Sequence, residues 1–472
     1  MVAREQMAGF VDERRMEAHT LQPHRWYVLL FFCMYSFNQC YTWFSFASTS
    51  QATMQAYFGT GMTKGTIDML LNWGPIAGVL AFIPQTWIMS QRDGLRRGLW
   101  IGMLLTLAAN VIRTTPLIVA HINEDKLFPQ SDVAFLMYHI GQFLNALSGP
   151  FCMGSCTLLS CVWFAEKERT KATAIAQTAN GFGTVIGFLN PVVLAVDPVG
   201  VPSIFYLGLV LAIIPCICAS LYFPPRPLHF PSAAAEALCA ASLHQAQEHP
   251  QTSAGLHEFT RHGETRRGLL SFFLLIFAVG LNSGILNGWQ GCLQSILNPL
   301  GISDKVVGYI GFSNGLAANI AAVLGGSMAD GCFQRRLKLG ILVGVLGQLL
   351  SLGWFALSLP SVLFDVAPLG HTDASLVIAV AAAGLFQGGT TPLYYELAAE
   401  LLYPRRESTS AGILVLITNS ACLLTIQVNS MVAPSNMNLL AVFGMAGVLL
   451  CVAAVYEKYG RPRDVTLTCE RA

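Results

Sequence analysis

The sequence predicts an all-α polytopic membrane protein, with twelve transmembrane helices in two pseudo-symmetric six-helix halves. Three observations lead there. The composition is 54% hydrophobic and only 11% charged, with a mean hydropathy of +0.54, which leaves too little polar surface to clothe a soluble globule of 472 residues. Twelve apolar stretches each approach the roughly 20 residues needed to cross about 30 Å of hydrocarbon. A polar segment, 224–268, divides them into two sets of six, and each set carries a basic turn after its second stretch.

The first half, 26–223, follows a mostly polar tail, 1–25, which predicts a retained first span rather than a cleaved leader. Its spans are predicted at 26–48, 67–89, 98–120, 133–162, 172–196 and 203–223. Span 1 opens on Trp26 at the membrane interface and carries Asn38, Gln39, Thr42 and Trp43. Before span 2 stand Thr66 and Asp68, which read as a helix start with an ordinary first-turn acid. Span 3 holds Arg113 toward its outer end. Span 4 brings His139, Gln142, Asn145 and Ser148, and span 5 brings Gln177 and Asn180. Span 6 stops at Pro224-Pro-Arg-Pro227.

The second half, 269–456, is predicted to hold spans at 269–297, 306–328, 339–359, 374–397, 409–431 and 436–456, with a tail at 457–472. Span 7 carries Asn282, Asn287, Trp289, Gln290 and Gln294, and span 11 carries Thr418, Asn419 and Gln427. Span 10 closes on Glu396 and Glu400, one helical turn apart on one face. The segment 224–268 is rich in Ala, His, Gln, Glu and Pro and reads as a solvated linker. Its five histidines (His229, His244, His249, His257, His262) are irregularly spaced and lack a paired Cys, so no metal and no cofactor is expected. Most cysteines lie inside spans, where small packing residues are expected rather than disulfides.

Charge sets the orientation. With both termini placed in the cytoplasm, the inner segments hold 23 of the 27 Lys and Arg, against Lys64, Lys126 and Lys305 outside. The net charge of +1 argues for no nucleic-acid partner. The expected partners are the lipid bilayer, a small-molecule substrate and protons, with no oligomer required. An enzyme is not expected, since no catalytic constellation is present.

The turns Ser90-Gln-Arg-Asp-Gly-Leu-Arg-Arg97 and Gly326-Ser-Met-Ala-Asp-Gly-Cys-Phe-Gln-Arg-Arg336 resemble the cytoplasmic signature of the major facilitator superfamily, the first in degenerate form. The resemblance implies that Asp93 and Asp330 tie helix ends together. It also implies that Arg96, Arg97, Arg335 and Arg336 face lipid phosphate or helix C-termini. Three further motifs resemble solute carrier family 49: Leu71-x-Trp73-Gly74-Pro75-Ile76, Gly141-Gln-x-x-Asn145 with Val162-Trp163-Phe164-x-x-x-Glu168-Arg169, and Glu396-x-x-x-Glu400-x-x-Tyr403-Pro404. Tyr222-Phe-Pro-Pro-Arg-Pro227, Gly288-Trp289 and Gly308-Tyr-Ile-Gly311 point to its member 4 branch.

Polar groups inside the membrane should face the bundle interior or a watery cavity, as helix glue or as ligands for solute. Amides and indoles with hardly any charge suit a neutral or cationic, partly aromatic or methylated solute. Trp43, Asn145, Asn287, Trp289 and Asn419 are the expected substrate contacts. Glu396 and His139 are the expected proton carriers, and Glu400 the acid of a cytoplasmic helix end. The member 4 resemblance implies proton-coupled export of pyridoxine from the lysosome toward the cytosol, with the plasma membrane as the other location. The receptor-related branch implies choline, ethanolamine or haem. It matches at Trp43 and Asn419 and departs at Gly149 and Asn287. A non-transporting receptor or scaffold is the competing class.

Overall fold

A computed structural model describes residues 24–91, 93–125, 127–227, 266–330, 336–364, 366–402 and 407–456. Twelve long helices account for most of them: α1 (His24–Phe44), α2 (Lys64–Ser90), α3 (Gly94–Ile122), α4 (Asp132–Trp163), α5 (Glu166–Gly187), α6 (Val201–Leu221), α7 (Arg266–Gly291), α8 (Asp304–Asp330), α9 (Leu337–Leu357), α10 (Asp373–Leu402), α11 (Glu407–Met431) and α12 (Pro434–Ala454). Among the described residues ten of these are long and apolar enough to cross a membrane. The exceptions are α1 and α5. The first carries buried Ser36, Asn38, Gln39 and Thr42, and α5 opens on Glu-Lys-Glu-Arg-Thr-Lys, so both are more polar than the other ten.

Helix starts follow capping chemistry. Thr63 accepts from Thr66 N at the start of α2, Ser131 from Ala134 N at the start of α4, and Ser50 from Thr53 N at the short helix Gln51–Phe58. Span 5 is interrupted at Asn190-Pro191, which opens the short helix Asn190–Val193, and span 7 breaks at Cys292 before Leu293–Leu297. Apolar runs measure the length of a crossing, and these breaks fall within it.

The packing repeats with a six-helix offset. In the first half the heavy pairs are α1 with α5, α3 with α4, α2 with α4, α3 with α6 and α1 with α6. Adding six to each label gives α7 with α11, α9 with α10, α8 with α10, α9 with α12 and α7 with α12, all heavily packed as well. The contacts between halves obey the same rule, α2 with α11 and α5 with α8, so one pseudo-twofold relates the halves.

Glycine brings backbones together where pairs are tight. A Cβ at Gly388 in α10 would overlap the carbonyl oxygen of Ala318 in α8, and one at Gly384 that of Asn314. Asn314 adds a bond from Nδ2 to the carbonyl of Val380 at 2.7 Å. Gly388→Ala is therefore expected to destabilise the second half by about 1–3 kcal/mol, read as a lower denaturant midpoint in micelles. An unchanged midpoint would show that α8 and α10 separate freely.

The start of α1 lies beside the end of α6, and the starts of α7 and α9 lie beside the end of α12. Tyr27 Oη donates to the Cys218 carbonyl at 2.6 Å, Lys338 Nζ to that of Val455 at 2.6 Å, and Tyr456 N to Ser271 Oγ at 3.0 Å. This is the terminal end of the bundle, and the loop end lies opposite. At the terminal end Arg25 in α1 pairs with Glu168 in α5 at 3.2 Å. Asp93 there takes a left-handed conformation at the start of α3, with φ 57° and no side-chain cap, and pairs with Arg226 after α6 at 3.2 Å. Arg96, Arg97 and Arg336 are exposed and Glu400 is half-buried. The side chain of Asp330 lies outside the described residues, as do Arg335, the linker histidines and the turn after α10.

Candidate functional site

The described contacts between halves occupy the loop-end portion of the helices. Along α5 and α8 a Cβ at Gly308 would meet Pro191 and Val192, one at Gly315 would meet Val185, and one at Gly181 would meet Asn319. Along α2 and α11, Lys64 Nζ donates to the Asn429 carbonyl at 2.6 Å, and farther along α2 a Cβ at Gly78 would lie 3.3 Å from the Asn419 amide. The short segments join in, with Gln294 Nε2 donating to the Ser48 carbonyl at 3.3 Å and Thr53 Oγ1 to Asp304 Oδ2 at 3.3 Å. The bundle is shut at this end.

The middle of the seam is built around a proline. Pro75 has no N–H, so the Leu71 carbonyl one turn earlier in α2 lacks its helical donor. The indole of Trp43 in α1 supplies it, with Nε1 donating to Leu71 O at 2.9 Å. Gly74 makes the approach possible, because a Cβ there would overlap the indole nitrogen. Gly74 and Gly78 are one turn apart on one face of α2, so that face meets Trp43 of its own half and Asn419 of the other. Both side chains are half-buried. Gly74-Pro75 was a motif in the sequence, and it encodes a socket for the indole.

Behind Trp43 stands a residue that the sequence placed toward the outer end of span 3. Arg113 lies inside α3 and is 1% exposed. Its Nη1 donates to the Thr42 carbonyl at 2.9 Å and to Gln142 Oε1 at 3.0 Å, and Nη2 donates to Ser45 Oγ. Gln142 in turn donates Nε2 to the Trp43 carbonyl at 2.7 Å. The Thr42 carbonyl also accepts from Ser45 Oγ at 2.8 Å, so the guanidinium adds to a bonded helix end, and a cation at a helix C-terminus suits its dipole. The guanidinium sits 4.9 Å from the ring centre of Phe46 and 5.0 Å from that of Phe205. Among the described residues no carboxylate pairs with it. Arg113 is thus a positioning residue for the end of α1 that bears Trp43.

The other expected contacts divide. Asn287 in α7 is half-buried and accepts from Gln387 Nε2 in α10 at 3.4 Å. Asn145 and Trp289 are buried among helix contacts. Asn145 is fully buried and donates Nδ2 to the Gln39 carbonyl at 2.9 Å, joining α4 to α1. Trp289 is 2% exposed, donates Nε1 to Asn438 Oδ1 at 2.9 Å and meets Phe355 edge-on at 5.7 Å, which puts it in the core of the second half. Gly149 leaves room that Gln39 fills, since a Cβ there would lie 3.2 Å from Gln39 Nε2.

The expected proton carriers are not brought together. His139 lies in the loop-end part of α4, half-buried, and accepts at Nδ1 from Trp73 Nε1 at 3.1 Å. Glu396 is half-buried near the terminal end of α10. Asp68 is the acid that sequence reasoning passed over. It is no first-turn acid free at a helix start, since Thr63 already caps α2 and Asp68 is 3% exposed. Asn429 Nδ2 in α11 lies 3.4 Å from its Oδ1 and 3.2 Å from its Oδ2.

A family model, Major Facilitator Superfamily, matches residues 31–290. The chain belongs to this superfamily. Among curated relatives, this superfamily member is 29% identical over 414 residues to the solute carrier family 49 member 4 homolog of Xenopus laevis, covering 84% of this chain and 82% of that protein. It is 26% identical over 408 residues to the choline/ethanolamine transporter FLVCR2 of Homo sapiens, covering 83% and 68% respectively. The resemblance to solute carrier family 49 stands. Among solved structures, the inward-open xylose transporter XylE from E. coli superposes with a TM-score of 0.64 at 15% identity over 93% of this chain and 98% of that one, a likeness of fold alone. A superfamily transporter carries its solute between the two halves.

Proposed function

We propose that the protein is a proton-coupled symporter that moves pyridoxine, or a similarly small neutral ring-bearing solute, toward the cytosol by alternating access, in the lysosomal membrane. The observation that carries this reading is the seam where Trp43 of α1 and Asn419 of α11 pack against successive turns of α2. An indole offers a face for a flat ring and the amides offer donors and acceptors without a fixed counter-charge, which fits an aromatic alcohol. The Lys and Arg distribution supports cytoplasmic termini. In that orientation the shut loop end faces the lumen. Glu396 and His139 are the proton carriers in this reading, and the Asp93–Arg226 pair steadies the cytoplasmic helix ends.

Choline or ethanolamine is the second reading, favoured by the similarity to FLVCR2 and by the affinity of an indole face for a quaternary ammonium. Cells displaying the protein at their surface are expected to take up labelled pyridoxine faster in acidic than in neutral medium, with excess choline leaving the rate unchanged. Displacement by choline would favour the second reading. Absence of pyridoxine uptake in both media would overturn the substrate assignment, and uptake indifferent to pH would remove only the coupling.

A further inference from the structure

The loop end is closed by a carboxylate that crosses between halves, and its chemistry is that of a switch. Asp68 in α2 belongs to the first half, while the donors around it belong to the second. They are Asn429 Nδ2, which reaches both carboxylate oxygens, and Cys292 Sγ, 3.9 Å from Oδ1. Asn429 is itself fully buried and shares its amide with Ser295 Oγ at 3.0 Å. Lys64, one turn earlier in α2, spends its ammonium on the Asn429 carbonyl. Among the described residues no salt bridge reaches Asp68. From the elements packed against it, Cys292 is the one titratable partner in contact, and Asn429, Ser295 and Gln294 are neutral. A cavity of about 20 Å³, room for one water, touches Asp68 and is lined on its polar side by Thr49, Gln51, Lys64 and Gln294.

An ionised carboxylate only accepts hydrogen bonds, and both oxygens here face donors. A proton on either oxygen turns that oxygen into a donor facing an N–H or S–H, so the bonds that join the halves weaken while water in an opened mouth would satisfy the new O–H. We propose that Asp68 is a proton-binding site whose occupation releases the Asp68–Asn429–Cys292 latch and opens the loop end. Proton binding and opening are then linked, each favouring the other. The inference adds a titratable group that the reading of Glu396 and His139 does not contain. It deepens the proposed proton coupling, yet its test needs neither a known solute nor transport.

The purified full-length protein in lipid nanodiscs is followed by amide hydrogen exchange over 64–71, 293–300 and 424–432, corrected for the intrinsic effect of pH. The wild type is expected to exchange about fivefold faster or more in these segments at about pH 5 than at about pH 7.5. Asp68→Asn is expected to exchange fast at both. Asn429→Asp, which sets a second carboxylate against the first, is expected to reverse the sign: fast at the higher pH, where like charges repel, and slow at the lower, where the pair shares a proton. A wild type indifferent to pH, an Asp68→Asn protein that keeps the wild-type response, or an Asn429→Asp protein with the wild-type sign would each overturn the proposal. Lack of pyridoxine transport would leave it standing.

Discussion

Replacing Arg113 with methionine is expected to destabilise the first half by about 1–3 kcal/mol, the cost of leaving a buried acceptor without its donor. Methionine matches the length and apolar stem of arginine, so cavity formation is a minor part of the cost. What is lost is the donor set. Gln142 Oε1 loses its donor, whereas the Thr42 carbonyl and Ser45 Oγ each lose one contact and stay bonded to one another at 2.8 Å; a buried acceptor left bare costs about 1–3 kcal/mol. The rings of Phe46 and Phe205 also lose their cation. Arg113→Lys keeps the charge near the C-terminus of α1 but not the planar fork, and about half of the loss is expected. Denaturant unfolding in micelles measures both. A methionine variant as stable as the wild type would mean that water replaces the guanidinium and that this region is wet.

The second large effect concerns transport. Trp43→Ala is expected to lower initial uptake roughly 30-fold at equal surface amount, since a desolvated ring contact is worth about 2 kcal/mol and each 1.4 kcal/mol is tenfold. Trp43→Phe keeps an aromatic face but leaves the Leu71 carbonyl without its donor, so a smaller loss of roughly fivefold is expected from a bond worth about 1 kcal/mol. Asn419→Ala removes an amide whose Nδ2 is anchored on the Val415 carbonyl at 2.9 Å, and about a tenfold loss is expected from about 1.4 kcal/mol of lost hydrogen bonding. If Trp43→Ala and Asn419→Ala both transport at the wild-type rate, solute binds elsewhere and both residues are helix glue. Loss of transport by correctly folded and localised variants would exclude the receptor or scaffold class.

The sequence was most readable where one physical term dominates. Apolar length located the long helices, including α1 and α5, whose polar faces keep them from meeting the criteria for an independent crossing. The sequence motif Gly74-Pro75 was visible as letters, but its meaning needed the partner. A proline in α2 frees a carbonyl, and only the packing of α1 against α2 shows that an indole fills the vacancy. Asp68 was misread for the same reason. From one helix it is an acid near a capped start, whereas α11 and the segment after α7 make it a buried bridge. For Trp289 the sequence likewise showed the residue in span 7 but not its bond to Asn438, 149 positions away.

By itself, then, the sequence determined the class of molecule, the order of its long helices and an inventory of neutral polar groups within the spans. Those follow from composition and from runs along one chain, where hydrocarbon thickness and the cost of burying charge act residue by residue. Tertiary structure alone decided which polar groups meet. It sent Asn145 and Trp289 into packing, brought Trp43 and Asn419 to one face of α2, hid Arg113 behind them and set Asp68 across the closed mouth. A polar side chain in a membrane takes its role from its partner, and partners are separated by up to 361 positions in the chain, as Asp68 and Asn429 are.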